Sequence, residues 1–485
     1  MKMEQSLDSY DAGRLQAFSD AVSAIVATIL ILPLRNVVKS NNEDFVDYLQ
    51  SHEDLIIVYF VAFLVICSVW ESHIMRWIVI SSVDDVLVWL NIISLLFVSF
   101  LPFAVRLVGQ YTEKKIPLVL GCGLLLVLEL IEMIMIYYTF TQNRLLRAEL
   151  KNALPFELQQ KRNYILKRKL LNPVLYIFAA GLSFVSVKIS WALIILVIIA
   201  PCINRLVEVV IYKMRFVQEE QHIFLYENII CKERVECYTD GVYAIVATLL
   251  VLDITTDNFP SEDDVKTHGM AKTLSHMRSE YLTYVGTFAV CGLLWFVHHS
   301  LFYSLKKVNY LMMIINNVSL SCVGALPFLV SILNKYVNDE YDSDRHAIQF
   351  GCLIVGVAGL SQFMIFTIAL GNSQRYLTHH VIPIGSRTAS HNYLLIKLLI
   401  IPMMAIIIFG TSFASMFEAY VAYHVLVFAT PFVFLFVKFI YFRIVRKQVV
   451  IMNVIQGEQP EWTNQGSTNP PHTGATFSTS YDQFK

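Results

Sequence analysis

The sequence predicts an all-α integral membrane protein of twelve transmembrane helices, arranged as two parallel six-helix repeats. Three observations predict it: apolar runs of bilayer-spanning length, basic and acidic residues sorted into alternate loops, and a motif that returns in the second half with its spacing kept. Of the 485 residues, 56% are hydrophobic and 15% charged, against about a quarter charged in ordinary water-soluble domains. The apolar excess is gathered into separate runs of about twenty residues, the length that crosses a hydrocarbon core.

Those runs place spans at residues 14–35, 55–79, 84–109, 116–140, 171–188 and 191–213 in the first half. In the second half they fall at 234–254, 280–304, 309–334, 347–371, 392–413 and 417–446. Only Lys188-Ile189-Ser190 separates the fifth from the sixth. The organisation that follows is a first repeat over 1–213, a cytosolic linker over 214–233, a second repeat over 234–446 and a cytosolic tail over 447–485. From Gly457 the tail is rich in Thr, Ser, Gly, Pro, Asn and Gln. With little to bury it reads as mostly disordered. Its Tyr481-Asp482-Gln483-Phe484 fits a tyrosine-based sorting signal, a pattern short enough to arise by chance. Met1 to Gly13 is polar and acidic, without the apolar core of a signal peptide, so the first apolar helix is expected to act as its own insertion signal.

Lys and Arg concentrate in loops of one parity. Arg144, Arg147, Lys151, Lys161, Arg162, Lys167, Arg168 and Lys169 lie between spans four and five. Lys213, Arg215 and Lys232, then Lys306 and Lys307, then Arg375 and Arg387, and finally Arg443, Arg446 and Lys447 follow on the same side. The long loops of the other parity are acidic, with Glu43, Asp44, Asp47, Glu53 and Asp54, then Asp257, Glu262, Asp263 and Asp264, then Asp339, Glu340, Asp342 and Asp344. Basic loops mark the cytosolic side, so both termini are expected in the cytosol. Cys67, Cys122, Cys202, Cys291, Cys322 and Cys352 fall inside apolar runs, where Cys behaves as a small hydrophobe. With Cys231 and Cys237 at the seventh span, no pairing in a polar loop points to a disulfide framework or a zinc site.

The repeat is read by offset. Arg14-Leu15-Gln16-Ala17-Phe18-Ser19-Asp20 precedes Ala24-Ile25-Val26-Ala27-Thr28-Ile29-Leu30. Arg234-Val235-Glu236-Cys237-Tyr238-Thr239-Asp240 precedes Ala244-Ile245-Val246-Ala247-Thr248-Leu249-Leu250 at the same distance. Trp70 and His73 return as Trp295 and His298, Asn91 as Asn316, Pro102 as Pro327, Gly121 as Gly351 and Pro173 as Pro402. Six spans per copy is an even number, so both copies enter the membrane in the same sense, related by an axis along its normal.

On the first helix of each copy, Ile25, Thr28 and Leu32, and likewise Ile245, Thr248 and Leu252, share one stripe. Asp20 lies about 140° round the helix from Ile25. An intramembrane carboxylate needs a partner, and the repeat-matched candidates are Trp70, His73 and Asn91 for one copy and Trp295, His298 and Asn316 for the other. The motif thereby ties each helix to its own bundle and leaves the opposite face to line a conduit. Taken alone, the stripe also reads as ordinary helix packing, the tryptophans as an interfacial belt and the histidines as interhelical hydrogen bonds. Glu129 and Glu132 in span four read as polar packing or as a proton site. His52, His268, His276 and His346 lie in or beside the loops of the acidic side, and histidine is the residue type whose charge can respond to an acidic lumen.

The Arg-x-x-x-Phe-Ser-Asp start, its second copy and the six-plus-six layout resemble the transmembrane protein 175 family of endolysosomal potassium channels over residues 14–446. The resemblance implies a leak-type potassium conductance of endosomes and lysosomes that also passes protons. It implies a homodimer in which four motif-bearing helices surround a pore. No cofactor is implied, only permeant K+ and H+, and the partners are a second copy and the lipid bilayer, not nucleic acid. It further implies a constriction at Ile25 and Ile245 with Leu32 and Leu252 nearby, and support for selectivity from Thr28 and Thr248. A Thr-Val-Gly-Tyr-Gly filter is absent from the sequence. Two departures stand out: Ala24 where some members carry serine, and Tyr238-Thr239-Asp240 in place of Phe-Ser-Asp. The competing class is a twelve-span secondary cation transporter, which calls for discontinuous helices around a central polar site. An enzyme is not expected, because no nucleophile–base or metal-ligand spacing stands out.

Overall fold

In a computed structural model the chain is described over residues 10–35, 44–199, 231–257, 259–336, 345–378, 381, 388–413 and 416–455. The second part of the expected sixth span with Cys202, the linker through residue 230, the acidic stretch Asp339 to Asp344, Arg387 and the tail beyond 455 with Tyr481 lie outside the described residues. The principal helices are α1 (Ala12–Ile29), α2 (Glu53–Arg76), α3 (Asp85–Gln110), α4 (Lys115–Thr141), α5 (Pro155–Lys169) and α6 (Leu171–Leu182). They continue with α7 (Val187–Ile199), α8 (Lys232–Leu249), α9 (Arg278–Ser304), α10 (Tyr310–Gly324), α11 (Leu326–Tyr336), α12 (Arg345–Gly371), α13 (Thr388–Thr411) and α14 (Met416–Ile455). The one sheet among the described residues is a two-residue antiparallel ladder, Tyr10–Asp11 against Ser82–Val83. It clips the chain ahead of α1 to the α2–α3 turn. Two compact units divide the chain, Met1–Phe434 and Leu435–Lys485. In the second, residues 435–455 are helical, and the Arg443 guanidinium lies 5.2 Å from the centre of the Phe439 ring.

Ten helical stretches among the described residues are long and apolar enough to cross a membrane, against the twelve expected. The shortfall falls on spans five and six. The first of them, α6, has only twelve residues, about 18 Å of helix against about 30 Å of hydrocarbon. The turn that follows occupies 183–186 instead of 188–190. Local hydroxyls mark it: Ser183 Oγ donates to the Ala180 carbonyl at 2.6 Å and Ser190 Oγ to that of Ala179 at 2.8 Å. The expected span over 309–334 is divided at Ala325. Pro327 lacks the N–H that would continue the ladder; its counterpart Pro102 sits inside an unbroken α3. The last helix runs on to Ile455, past the expected end at 446.

The third span of each half starts with the same device at matched positions. Asp84 Oδ1 accepts from the Leu87 amide at 3.1 Å, and Asn309 Oδ1 accepts from that of Met312 at 2.8 Å, so each caps an orphan donor at a helix N-terminus. The main core is one apolar cluster drawing on both halves, including Phe63, Ile66, Leu101, Leu294, Leu326 and Phe366. A smaller core of Trp77, Ile80, Val83, Leu145 and Leu146 lies behind the ladder.

Candidate functional site: the paired entry helices

α1 and α8 pack directly on each other. A Cβ added at Gly241 would lie 3.2 Å from that of Ala24, so the helices meet through small residues that let backbones approach. Arg234 on α8 donates from Nη2 to Asp20 Oδ1 on α1 at 2.6 Å, and Trp70 Nε1 donates to the same oxygen at 2.9 Å. The Tyr238 ring stacks on Trp70, centres 3.9 Å apart. Asn317 Nδ2 donates to Glu71 Oε1 at 2.9 Å, and the Tyr59 hydroxyl to the Ser321 carbonyl at 3.0 Å. Farther along, Arg35 Nη2 donates to Thr256 Oγ1 at 3.0 Å. Asp20 is therefore held by its own bundle through Trp70 and by the other half through Arg234.

The second motif repeats the internal bonds. Trp295 Nε1 donates to Asp240 Oδ1 at 2.8 Å, and Asn316 Nδ2 to Thr239 Oγ1 at 3.2 Å, as Asn91 Nδ2 does to Ser19 Oγ at 3.0 Å. The cross-half bonds are not repeated among the described residues. Arg14 is exposed without a hydrogen bond or ion pair among the described residues, Phe18 is 54% exposed, Trp295 40%, and Asp240 is exposed.

Both entry helices end early. α1 stops at Ile29 and a short helix, Leu32–Arg35, resumes after a turn; Pro33 has no N–H to offer the Ile29 carbonyl. α8 stops at Leu249 and resumes as a wider π-helical turn, Asp253–Asp257. Leu32 and Leu252 thus lie beyond a break, out of the continuous i to i+7 register expected for the stripe. Ile25 is exposed and Ile245 half-buried. Thr248 is exposed, with Oγ1 bonded to the Ile245 carbonyl at 2.8 Å. Thr28 is fully buried, its Oγ1 shared between the Ala24 and Ile25 carbonyls at 3.0 and 2.9 Å. Hydroxyls bonded back onto the preceding turn bend helices.

The family model described as endosomal/lysosomal potassium channel TMEM175 matches this chain twice, at residues 14–102 and 234–327. A protein of Danio rerio named endosomal/lysosomal proton channel TMEM175 is 32% identical over 438 residues, 88% of this chain and 83% of that one. The chain belongs to the TMEM175 family. The Gallus gallus protein of the same name is 32% identical over 452 residues, 90% and 88% of the two chains. A potassium channel of Chamaesiphon minutus is 32% identical over 104 residues, 21% of this chain and 50% of that one.

Two of the expected bracing residues in this TMEM175 member do not touch the motif. His73 Nδ1 lies 3.2 Å from Glu132 Oε1 and 3.0 Å from Arg76 Nη2. His298 packs on the rings of Phe302 and Tyr243, centres 4.2 and 5.7 Å away. Sequence reasoning missed Arg76. It is fully buried, donating to Glu132 Oε1 and to Asn91 Oδ1, both at 2.8 Å. The available signal was Glu132 itself: a carboxylate in an apolar run calls for a cation at its depth, and Arg76 closes the second span.

Proposed function

We propose that this chain forms a leak-type, potassium-selective cation channel of endosome and lysosome membranes that also passes protons. Two copies close a ring of four entry helices, α1 and α8 from each. Each copy contributes two six-helix repeats, with both termini in the cytosol. Ile25 and Ile245 form the constriction, Leu32 and Leu252 stand next to it beyond the helix break, and Thr28 and Thr248 support it from the adjacent turn. An isoleucine ring gates by wetting: narrow, it excludes water and ions; slightly wider, it conducts. The names borne by the relatives support the ions and the membrane.

One observation carries the ring. Eight residues at the junction between α1 and α8 have repeat-matched counterparts left on the chain's outer faces. Asp20, Ala24, Trp70 and Glu71 correspond to Asp240, Ala244, Trp295 and Phe296, which are exposed. Arg234, Tyr238, Gly241 and Asn317 correspond to Arg14, Phe18, Ala21 and Ile92, also exposed. The two sets are complementary: Arg14 can reach the partner's Asp240 as Arg234 reaches Asp20, and Phe18 can cover the partner's Trp295 as Tyr238 covers Trp70. Exposed apolar area of this kind, with an unpaired cation on one face and a carboxylate on the other, suits closure by a second copy.

The test is current recording from purified protein in planar bilayers, with potassium, sodium and proton gradients varied separately. Ile25→Asn and Ile245→Asn are expected to raise the leak, because a polar side chain keeps the constriction wet. Currents identical to those of the unmodified protein would overturn the assignment of these isoleucines.

A further inference from the structure

A chain of buried polar groups runs from the loop helix α5 to the entry helix α1. At the end of α5, Lys169 Nζ donates to Ser72 Oγ at 2.7 Å and lies 3.8 Å from Glu132 Oε2 and 3.9 Å from Glu129 Oε2. Ser72 Oγ donates to Glu129 Oε2 at 3.2 Å, and Asn172 Nδ2 to Glu129 Oε1 at 3.0 Å. Glu132 Oε1 accepts from Arg76, Arg76 donates to Asn91, and Asn91 Nδ2 donates to Ser19 Oγ on α1. Glu129, Glu132, Arg76, Asn91 and Ser19 are all more than nine-tenths buried. From Glu132 to Ser19 the links are hydrogen bonds, those made by Arg76 charge-assisted and directional in a low-dielectric interior, and Lys169 joins them as an ion pair to Glu132 at 3.8 Å.

The second half lacks the carboxylates and the arginine of this chain, although its buried Lys397, one place before the position matching Lys169, donates to Ser300 Oγ and lies over the Phe296 ring. By the repeat offsets, Arg76 becomes Leu301, Glu129 becomes Gly359, Glu132 becomes Gln362 and Lys169 becomes Leu398. What remains is Asn316 on Thr239, with Gln362 Nε2 turned to the Tyr243 hydroxyl at 3.1 Å. A charged chain that survives in one half only, and that ends on a loop helix outside the spans, is more than general bundle stability requires.

We infer that Arg76 and Lys169 are positioning residues for the first entry helix, coupling the placement of loop helix α5 to Ser19 and hence to the wall of the conduit. α5 is a control element: whatever displaces it displaces α1, and α8 only at second hand. The inference rests on the reading of α1 as a pore helix for its functional consequence, but not for the coupling itself.

The coupling is tested without recording any current, by amide hydrogen exchange on the full chain in lipid nanodiscs. Lys169→Met is expected to raise exchange in residues 14–22 about tenfold while the matched residues 234–242 stay within about twofold, since a segment opens locally when the bonds and packing that hold it are weakened. Lys169→Arg, which keeps the charge, is expected to restore the slow exchange. Equal loosening of both helices, or an unchanged α1, would overturn the inference. As a second measurement, Gln159→Cys on the exposed face of α5 is expected to give a channel whose current shifts when a bulky thiol reagent is applied from the α5 side. A current indifferent to the modified cysteine would count against α5 as a control element. A wild-type protein without current, yet with the asymmetric exchange, would sink the channel reading and leave the coupling standing.

Discussion

The two entry helices carry nearly the same motif in unlike surroundings. Around α1, Asp20 is buried against Arg234 and Trp70, and Ser19 is the end of a charged chain reaching Lys169. Around α8, Asp240 faces outward with Trp295 as its one donor among the described residues, and Thr239 meets a single neutral amide. The difference has two separate origins. The exposure of the second motif is what the proposed pairing of two copies would cover, since its counterpart surfaces lie on the opposite faces. The loss of Arg76, Glu132 and Lys169 is written in the sequence and no assembly restores it. Alike motifs therefore need not move alike: α1 is tied to its own bundle by an ionic chain, α8 to its own bundle by neutral hydrogen bonds and packing, and the Arg234–Asp20 ion pair joins the two.

The sharpest way to break the comparison is Arg234→Met. It strands the Asp20 carboxylate in a buried site, where loss of one partner costs about 3–5 kcal/mol; thermal unfolding of the detergent-solubilised protein reads it. Arg14→Met is expected to leave the monomer's stability nearly unchanged and to weaken dimerisation, followed by light scattering. Equal effects of both on unfolding of the monomer would erase the distinction between inner and outer junctions. Next in size is the exchange of one half's chemistry for the other's. Arg76→Leu alone is expected to cost about 3–5 kcal/mol by leaving Glu132 unpaired. The double variant Arg76→Leu, Glu132→Gln, which copies Leu301 and Gln362, is expected to recover most of that loss, because the pair couples strongly. Smaller again, Ser19→Ala is expected to cost about 1–2 kcal/mol by leaving buried groups on Asn91 unsatisfied, and Thr239→Ala less, as its partner network is neutral.

Much of the architecture was legible because the membrane imposes it. Apolar runs gave the long helices, and the offset between Arg14 and Arg234 gave the matched motifs that the structure joins to Trp70 and Trp295. Span ends were less legible. Pro102 and Pro327 are the same residue in the same motif, yet one sits inside an unbroken helix and the other follows a break, because neighbouring packing decides whether a lost backbone bond is tolerated. The stripe through Leu32 presumed a straight helix, which Pro33 prevents. Thr28 and Thr248 are identical in sequence and opposite in exposure, a difference set by neighbours from distant parts of the chain. The pairing of Arg234 with Asp20 was hidden for the same reason: each motif looked self-sufficient, and only the packing of α1 on α8 shows a cation of one serving the carboxylate of the other.

The meeting of Ala24 with Gly241 has a geometric consequence. The missing methyl at 241 sets how near the two cylinders lie, whereas the matched outer junction would bring Ala244 against Ala21, one carbon more on the second wall. The proposed ring of four would then have two tight seams and two wider ones, giving an oblong aperture with twofold symmetry. An ion passing through such a ring would meet unequal walls on its two transverse axes, and the fourfold likeness of the motif would not be that of the hole.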